Sequence, residues 1–450
     1  MRAEKRKKYI PILLTALLVL SVPLVWVRTL FAVDGLNVQD YADVPKLKSE
    51  ITCANGDLIY KATCLDPELF GNLVGIPNRS KIGNGIANSI TRHYADYLVP
   101  HKFNILRGIE GMIDKEPDQI QTTLMSVDAH QAVADAFDSH DGICAVYNYV
   151  TGEVYMLLSL PSGTSSEETA PAGSMKNFCL AQASVVPAST MKLIATLCAL
   201  DQDIDPNMTY TCTGSLTLPD GNVVNCHNRS GHGKLNLEGA IGLSCNTYIA
   251  YMVQKLNVPA TQDLLHQLGF FLNGEHDTSD RTGSIGRMAY CYSRTTFENT
   301  REFNSVWGLV GQGETVVNPV HMLTIIGAIA NGGQAANPYL VEKISSANDK
   351  VYFQADAPEM LTLMDSQLAQ ETAEHWSNAT EKYYNMDERF TMLKTGTAQI
   401  NNGKSNNRLL MGVIEEQNTV FYISVTNTSD TEIYDIANTI LSFLPTEDAA

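Results

Sequence analysis

Residues Ser189 to Leu200 read Ser-Thr-Met-Lys-Leu-Ile-Ala-Thr-Leu-Cys-Ala-Leu, and apolar side chains cover nearly every face of the helix this run predicts. A helix without a polar face belongs inside its domain, so the fold has to be wrapped around this segment. Pro187 and Ala188 introduce it. Ser189 falls at its start, and Lys192 stands one turn later on the same side.

Two further segments belong with it. Ser244-Cys245-Asn246 places two polar side chains about a cysteine, and Lys394-Thr395-Gly396-Thr397 sits in a strand-like run from Arg389 to Ile400. At ordinary residue frequencies a chain of this size holds roughly one or two Ser-x-x-Lys matches and about 0.2 Lys-Ser/Thr-Gly matches by chance. Each pattern is present once, at Ser189 and at Lys394. Ser-x-Asn carries little alone, because it recurs at Ser346 and Ser405; order, separation and flanking residues select Ser244.

The chemistry these residues can perform is specific. A serine hydroxyl is a poor nucleophile until a neighbouring base takes its proton. Lys192 can be that base only while neutral, and both burial and a second cation, Lys394, lower its pKa. Positioned base catalysis typically contributes about 10²–10⁴ in rate. Ser244 and Asn246 can relay protons and hold a substrate amide. Lys394, Thr395, Gly396 and Thr397 offer a cation, two hydroxyls and a glycine that admits substrate backbone, a surface suited to a free carboxylate. The backbone N–H groups of Ser189 and Thr397 are the expected oxyanion donors. Each motif alone has a bland account: a snorkelling lysine, a helix-cap serine with a turn asparagine, a strand-end lysine before a turn glycine. As an ordered set they are a kit for serine acyl transfer.

The chain has 450 residues, 44% hydrophobic and 18% charged, room for one large or two to three ordinary domains. Arg2, Lys5, Arg6, Lys7 and Lys8 precede an apolar run from Tyr9 to Val27. A membrane span needs about 20 apolar residues, which this run just reaches. The basic block predicts a cytoplasmic tail over 1–8 and a signal anchor over 9–31, with the rest facing outward as a single-pass protein of the cell membrane. A cleaved signal peptide is the competing reading, but no small-x-small site follows Val27. The net charge of −18 becomes about −22 once residues 1–8, with five basic residues and one acidic, are set aside. That balance argues against nucleic acid.

Nine cysteines include Cys212 and Cys226, which bracket a Pro219-Asp220-Gly221-Asn222 turn. In an oxidising envelope they could close a disulfide worth about 3 kcal/mol; equally, they could stay reduced on neighbouring strands. No Cys-x-x-Cys or His-x-x-x-His spacing appears and His227 beside Cys226 is isolated, so no metal is expected. Gly311-Gln312-Gly313 is no nucleotide loop, and no cofactor is expected.

Residues 32–118 read as a short pedestal without a titratable cluster, and 119–450 as the catalytic domain. A helix over Ser126 to Phe137 leads to a hairpin of Ile143–Tyr149 with Glu153–Leu158 across Thr151-Gly152, then an exposed loop over 160–176. Helices are expected over 235–256 and 316–331, a hairpin of Leu409–Ile414 with Thr419–Thr426, and a closing helix Ile433–Leu444. Helices in the middle and strands at both ends imply one sheet assembled from distant segments.

With these motifs in place, the chain resembles a class B penicillin-binding protein, a D,D-transpeptidase of peptidoglycan synthesis. The resemblance runs from about residue 120 to about 447. It includes Gln121-Thr122-Thr123-Leu124-Met125-Ser126-Val127-Asp128, Thr151-Gly152-Glu153, Gly231-His232-Gly233, Gly311-Gln312-Gly313, Asn318-Pro319 and Ala330-Asn331-Gly332-Gly333. It implies an α+β transpeptidase fold, a five-stranded antiparallel sheet flanked by helices with a helical subdomain. It implies Ser189 as the acylated nucleophile, Lys192 as its base, Ser244 and Asn246 as the second motif, and Lys394, Thr395 and Thr397 as contacts for the donor carboxylate. The reaction implied attacks the D-Ala-D-Ala bond of a peptidoglycan stem peptide and passes the acyl group to an amine of a neighbouring strand. β-Lactam antibiotics would mimic that donor, and an integral-membrane glycan polymerase is the expected partner.

Some features depart from the pattern. Ala188 stands where such proteins usually have glycine, the pedestal is short, and about 85 residues before the domain cannot hold a glycosyltransferase. A class A β-lactamase would carry Glu-x-x-Leu-Asn, whereas Gly269 precedes Leu272-Asn273 here. A D,D-carboxypeptidase is harder to separate. A non-catalytic scaffold for a division or elongation complex would have no reason to keep Ser189, Lys192 and Lys394 together.

Overall fold

The computed structural model describes residues 50–444 except 62–63, 76–88, 95–117, 163–183, 273–274, 276–283, 287, 290–292, 347–348 and 401–404. The expected tail 1–8, anchor 9–31, much of the loop 160–176 and parts of the pedestal therefore lie outside the described residues. Among those described, no helix is long and apolar enough to cross a membrane.

Strands β1 (Glu50–Thr52) and β2 (Leu58–Lys61) form a hairpin whose turn is set by the Asn55 side chain accepting from the Asp57 amide and by Gly56 at φ 91°. Helix α1 (Pro67–Val74), capped by Asp66, leads on, and β3 (Gln119–Thr122) returns parallel to β1. Ser126 then caps α2 (Val127–Ala136) by accepting from the Ala129 amide. Strands β4 (Gly142–Asn148) and β5 (Val154–Leu160) form the expected hairpin. Every residue of β4 is buried, which places it centrally with both faces covered.

The segment from Ser189 to Leu200 folds as a 3₁₀ turn, Ala188–Met191, running into α3 (Lys192–Leu200), and α3 is buried at all nine positions. Short strands β6 (Tyr210–Cys212), β7 (Ser215–Thr217), β8 (Val223–Asn225) and β9 (Gly233–Leu235) follow, β6 pairing with β9 and β7 with β8. The single helix expected over 235–256 is two: α4 (Leu237–Gly242) and α5 (Asn246–Val253). Ser244 breaks them apart by taking φ 53°, in the left-handed region, after which Cys245 caps α5. Beyond a further helix, Val258–Gln267, lie α6 (Phe303–Val310) and α7 (Pro319–Ala330), the latter starting at Asn318, whose side chain accepts from the Val320 and His321 amides.

Strands β10 (Val341–Ser345) and β11 (Val351–Gln354), then the long α8 (Ser366–Tyr383), precede the last run of β12 (Phe390–Ile400), β13 (Ser405–Ile414) and β14 (Thr419–Thr426). Helix α9 (Asp430–Phe443) closes the fold with a capping box of Ser429 and Glu432.

Two five-stranded sheets result. The larger, ordered β12-β13-β14-β4-β5, is antiparallel throughout and is the sheet expected from distant segments. Helix α7 covers one of its faces at Tyr147, where Gly327 lets the helix come close; a Cβ there would stand 2.5 Å from that of Tyr149. On the alternate face Gly142 meets Phe137 at the end of α2, and α9 packs beside α2. The second sheet, ordered β11-β10-β3-β1-β2, was not foreseen: it weaves the β1–β2 hairpin into strands on the far side of residue 119. Helix α3 is enclosed by α5, α6 and α8, which bring the second and third motifs to its N-terminal end.

Candidate active site

Lys192 is the centre of the site. Its side chain is completely buried at the first turn of α3. Its Nζ donates to the Ser244 carbonyl oxygen at 2.6 Å and to Asn246 Oδ1 at 2.7 Å, and lies 3.1 Å from Ser244 Oγ. The left-handed turn at Ser244 is what aims both its carbonyl and its hydroxyl at the same nitrogen. Asn246 is oriented in turn by its amide, which donates to the Asn225 carbonyl at 3.0 Å, leaving Oδ1 to face the lysine.

Burial, and then the charge of Lys394, drive the pKa of Lys192 well below that of an ordinary lysine. A neutral amine has two N–H groups and one lone pair. The two carbonyl oxygens can only accept, so they take both N–H groups and leave the lone pair to receive a proton from a hydroxyl. That is the arrangement of a general base.

Ser189 is half-buried in the 3₁₀ turn immediately before Lys192. Thr190 stiffens the turn, its Oγ1 donating to the Pro187 carbonyl at 2.6 Å. Ala188 takes φ 49°, a left-handed conformation in which glycine would be unstrained. Packing around it is close: Gly311, the left-handed cap of α6, and Gly396 on β12 both press against it. A Cβ on Gly396 would stand 3.3 Å from both Ala188 Cβ and the Pro187 carbonyl oxygen. The glycine of the third motif thus draws the edge strand β12 against the turn that bears Ser189, and the expected oxyanion donors Ser189 and Thr397 sit on these two abutting segments.

Lys394 shares that strand and is also fully buried, its Nζ donating to the Thr395 carbonyl at 2.9 Å. Burial lowers its pKa to about 7. Thr395 is held by Tyr384, whose hydroxyl accepts from the Thr395 amide at 3.1 Å. Thr397 is exposed, and Arg408 on β13 donates to its Oγ1 at 2.7 Å while pairing with Asp430 at 3.3 Å. A guanidinium therefore borders the hydroxyls expected to meet a carboxylate.

The structure gathers the three motifs at one end of α3. Sequence reasoning missed Asn225, Tyr384 and Arg408. None carries a motif of its own; Arg408 was findable only by aligning β13 against β12, where it faces Thr397. Cys212 and Cys226 are both buried free thiols. The sulfur of Cys226 lies 3.9 Å from that of Cys245, and Cys212, Cys226, His232 and Cys245 hold their ligand atoms within 4.8 Å of one another. The spacing of these residues gave no sign of that cluster.

A long antiparallel sheet under a buried helix, with a serine, a lysine and a lysine-bearing edge strand at the helix's mouth, is the arrangement of a penicillin-binding transpeptidase fold. The family model described as "Penicillin binding protein transpeptidase domain" matches residues 142–442, and the chain belongs to that family. Among solved structures it resembles PBPA from Mycobacterium tuberculosis, with a TM-score of 0.73 at 17% identity, covering 89% of this chain and 99% of that one. It also resembles the D,D-transpeptidase domain of a peptidoglycan glycosyltransferase from Eggerthella lenta, with a TM-score of 0.70 at 18% identity over 88% and 98%. An imipenem acyl-enzyme complex of M. tuberculosis penicillin-binding protein A matches with a TM-score of 0.72 at 17% identity, covering 90% of this chain and 99% of that one. No curated protein matches by sequence.

Proposed function

We propose that this protein is a membrane-anchored D,D-transpeptidase that cross-links peptidoglycan and is acylated by β-lactams at Ser189. The observation that carries the reading is Lys192: a buried amine held by two carbonyl acceptors beside a second buried lysine, one residue past the turn that bears the serine. In the first half-reaction Ser189 Oγ attacks the carbonyl of the penultimate D-Ala while its proton passes to Lys192. The oxyanion is received by the amides of Ser189 and Thr397, and the terminal carboxylate by Thr395, Thr397 and Lys394. The departing D-Ala amine takes a proton relayed from Lys192 through Ser244. An acceptor amine then attacks the ester, giving its proton back along the same route and restoring Ser189. A glycan polymerase in the same membrane would supply the strands.

The test is mass spectrometry of the protein after incubation with a fluorescent penicillin, with Ser189→Ala beside it. A lasting adduct on the peptide containing Ser189, absent from the variant, is the expected result. Rapid turnover of the penicillin would make the protein a β-lactamase, and no adduct would favour a scaffold.

A further inference from the structure

Residues 210–235 are poorly equipped to hold themselves together. Their four strands are three residues each, paired only two by two, and most of their side chains face solvent. Small modules without a core of their own need a staple. Two glycines bring the backbone ends into contact: a Cβ on Gly214 would stand 2.1 Å from the Arg229 carbonyl oxygen, and one on Gly231 would stand 2.2 Å from that of Cys212. Cys212 and His232 are thereby delivered to one place, where Cys226 arrives from the end of β8 and Cys245 from the cap of α5.

We propose that Cys212, Cys226, His232 and Cys245 form a tetrahedral zinc site that fixes the second motif of the active centre. With Zn–S near 2.3 Å and Zn–N near 2.1 Å, the edges of such a tetrahedron are about 3.8 Å for S···S and about 3.6 Å for N···S. The sulfurs of Cys226 and Cys245 are 3.9 Å apart, and Cys226 Sγ is 3.5 Å from His232 Nδ1. All four ligand atoms lie within 4.8 Å of one another, so closure of the remaining edges requires shifts of at most about an ångström. The three thiols are buried, while the imidazole reaches them from the half-exposed side, the route by which a metal could enter. A disulfide between any two of the cysteines would leave a thiol and an imidazole converging on nothing. On binding, each coordinating thiol gives its proton to solvent and the neutral imidazole binds through Nδ1.

The site bears directly on the chemistry. Cys245 is the residue between Ser244 and Asn246, and Cys226 follows Asn225, whose carbonyl orients the Asn246 amide. One metal therefore holds both ends of the hydrogen-bond chain that ends on Lys192. The metal site stands independently of the proposed activity; its effect on acylation rests on that reading.

The experiment uses the full chain, purified without chelator. Elemental analysis is expected to give about one zinc per chain. Cobalt substitution should give the visible bands of a tetrahedral thiolate site, and both signals should be lost in Cys212→Ser and His232→Ala. Because those variants could misfold, wild-type protein is also stripped with a chelator and titrated with zinc against a chromophoric competitor, where stoichiometric uptake is expected. Ser189→Ala should keep its zinc while losing penicillin labelling, which separates failure of the two readings. Stripping should slow acylation of Ser189, with recovery on adding zinc. Absence of stoichiometric metal, a cobalt spectrum without sulfur bands, or a Cys226–Cys245 disulfide in unreduced peptides would overturn the site. An unchanged acylation rate after stripping would overturn its role in holding the second motif.

Discussion

A Cβ placed on Gly311 would stand 1.7 Å from the carbonyl oxygen of Ala188, the residue before Ser189. Gly311 also adopts φ 100°, which only glycine accepts without strain. The clash is with backbone, so no rotamer change relieves it, and the turn carrying Ser189 must move. Gly311→Ala is expected to destabilise the fold by about 3 kcal/mol in urea denaturation and to abolish penicillin acylation. Gly221→Ala is the control. It has φ 87° but open space around its Cβ, so it should cost only about 1 kcal/mol and leave acylation intact.

The buried lysines predict how stability varies with pH. Lys394 has its pKa lowered from 10.5 to about 7, and Lys192 is shifted in the same direction. Between about pH 7 and 10.5 the unfolded chain therefore binds more protons than the folded one, and stability rises with pH across that window. Below it, the cost of burying the charge is fully present; above it, both states are neutral and the cost is gone. For Lys394 alone the change is on the order of 5 kcal/mol. Lys394→Met should flatten the profile of chemical denaturation against pH. The acylation rate should rise with an apparent pKa well below 10. A value near 10 would remove Lys192 as the neutral base.

Asn246 can be tested by charge alone. Asn246→Asp keeps the size but sets a carboxylate against Lys192 in place of the neutral oxygen at 2.7 Å. An anion there holds the ammonium form, so acylation at neutral pH should fall by about 10²–10³. Because the loss is one of protonation, activity should partly return as pH is raised. Asn246→Ala should show the loss without the return, which stopped-flow penicillin binding across pH would distinguish.

Much of this was legible in the sequence. The all-apolar run after Ser189 forced a central helix, and the strand-like runs at either end of the domain pointed to the large sheet. What escaped detection has a common cause. Ser244 breaks an apolar-rich run through a left-handed backbone angle that side-chain pattern does not encode, so one helix was expected where two occur. The second sheet was invisible because β1, β2, β3, β10 and β11 are three to five residues long and its two hairpins are joined only through β3, which pairs with β1 (Gln119 opposite Glu50) and with β10 (Thr122 opposite Val341). The cluster of Cys212, Cys226, His232 and Cys245 was hidden for the same reason: its spacings are set by hairpins and a helix cap, not by a short local loop.

Arg408 is the group most open to test as a determinant of substrate choice. It lies opposite Thr397 on the neighbouring strand, donates to that hydroxyl at 2.7 Å, and is steadied by Asp430. A carboxylate reaching Thr395 and Thr397 comes within range of the guanidinium, and a charged hydrogen bond of that kind contributes about 1.5–3 kcal/mol. Arg408→Ala should therefore lower the second-order acylation rate by about 10- to 100-fold while leaving folding unchanged, since the side chain is a third exposed. The discriminating measurement compares a penicillin with its methyl ester. Wild type should strongly prefer the free acid, and Arg408→Ala should narrow that preference by lowering the rate for the acid alone. An equal loss for acid and ester would mean that Arg408 only shapes the strand, and carboxylate recognition would then rest on Lys394 and the two threonines.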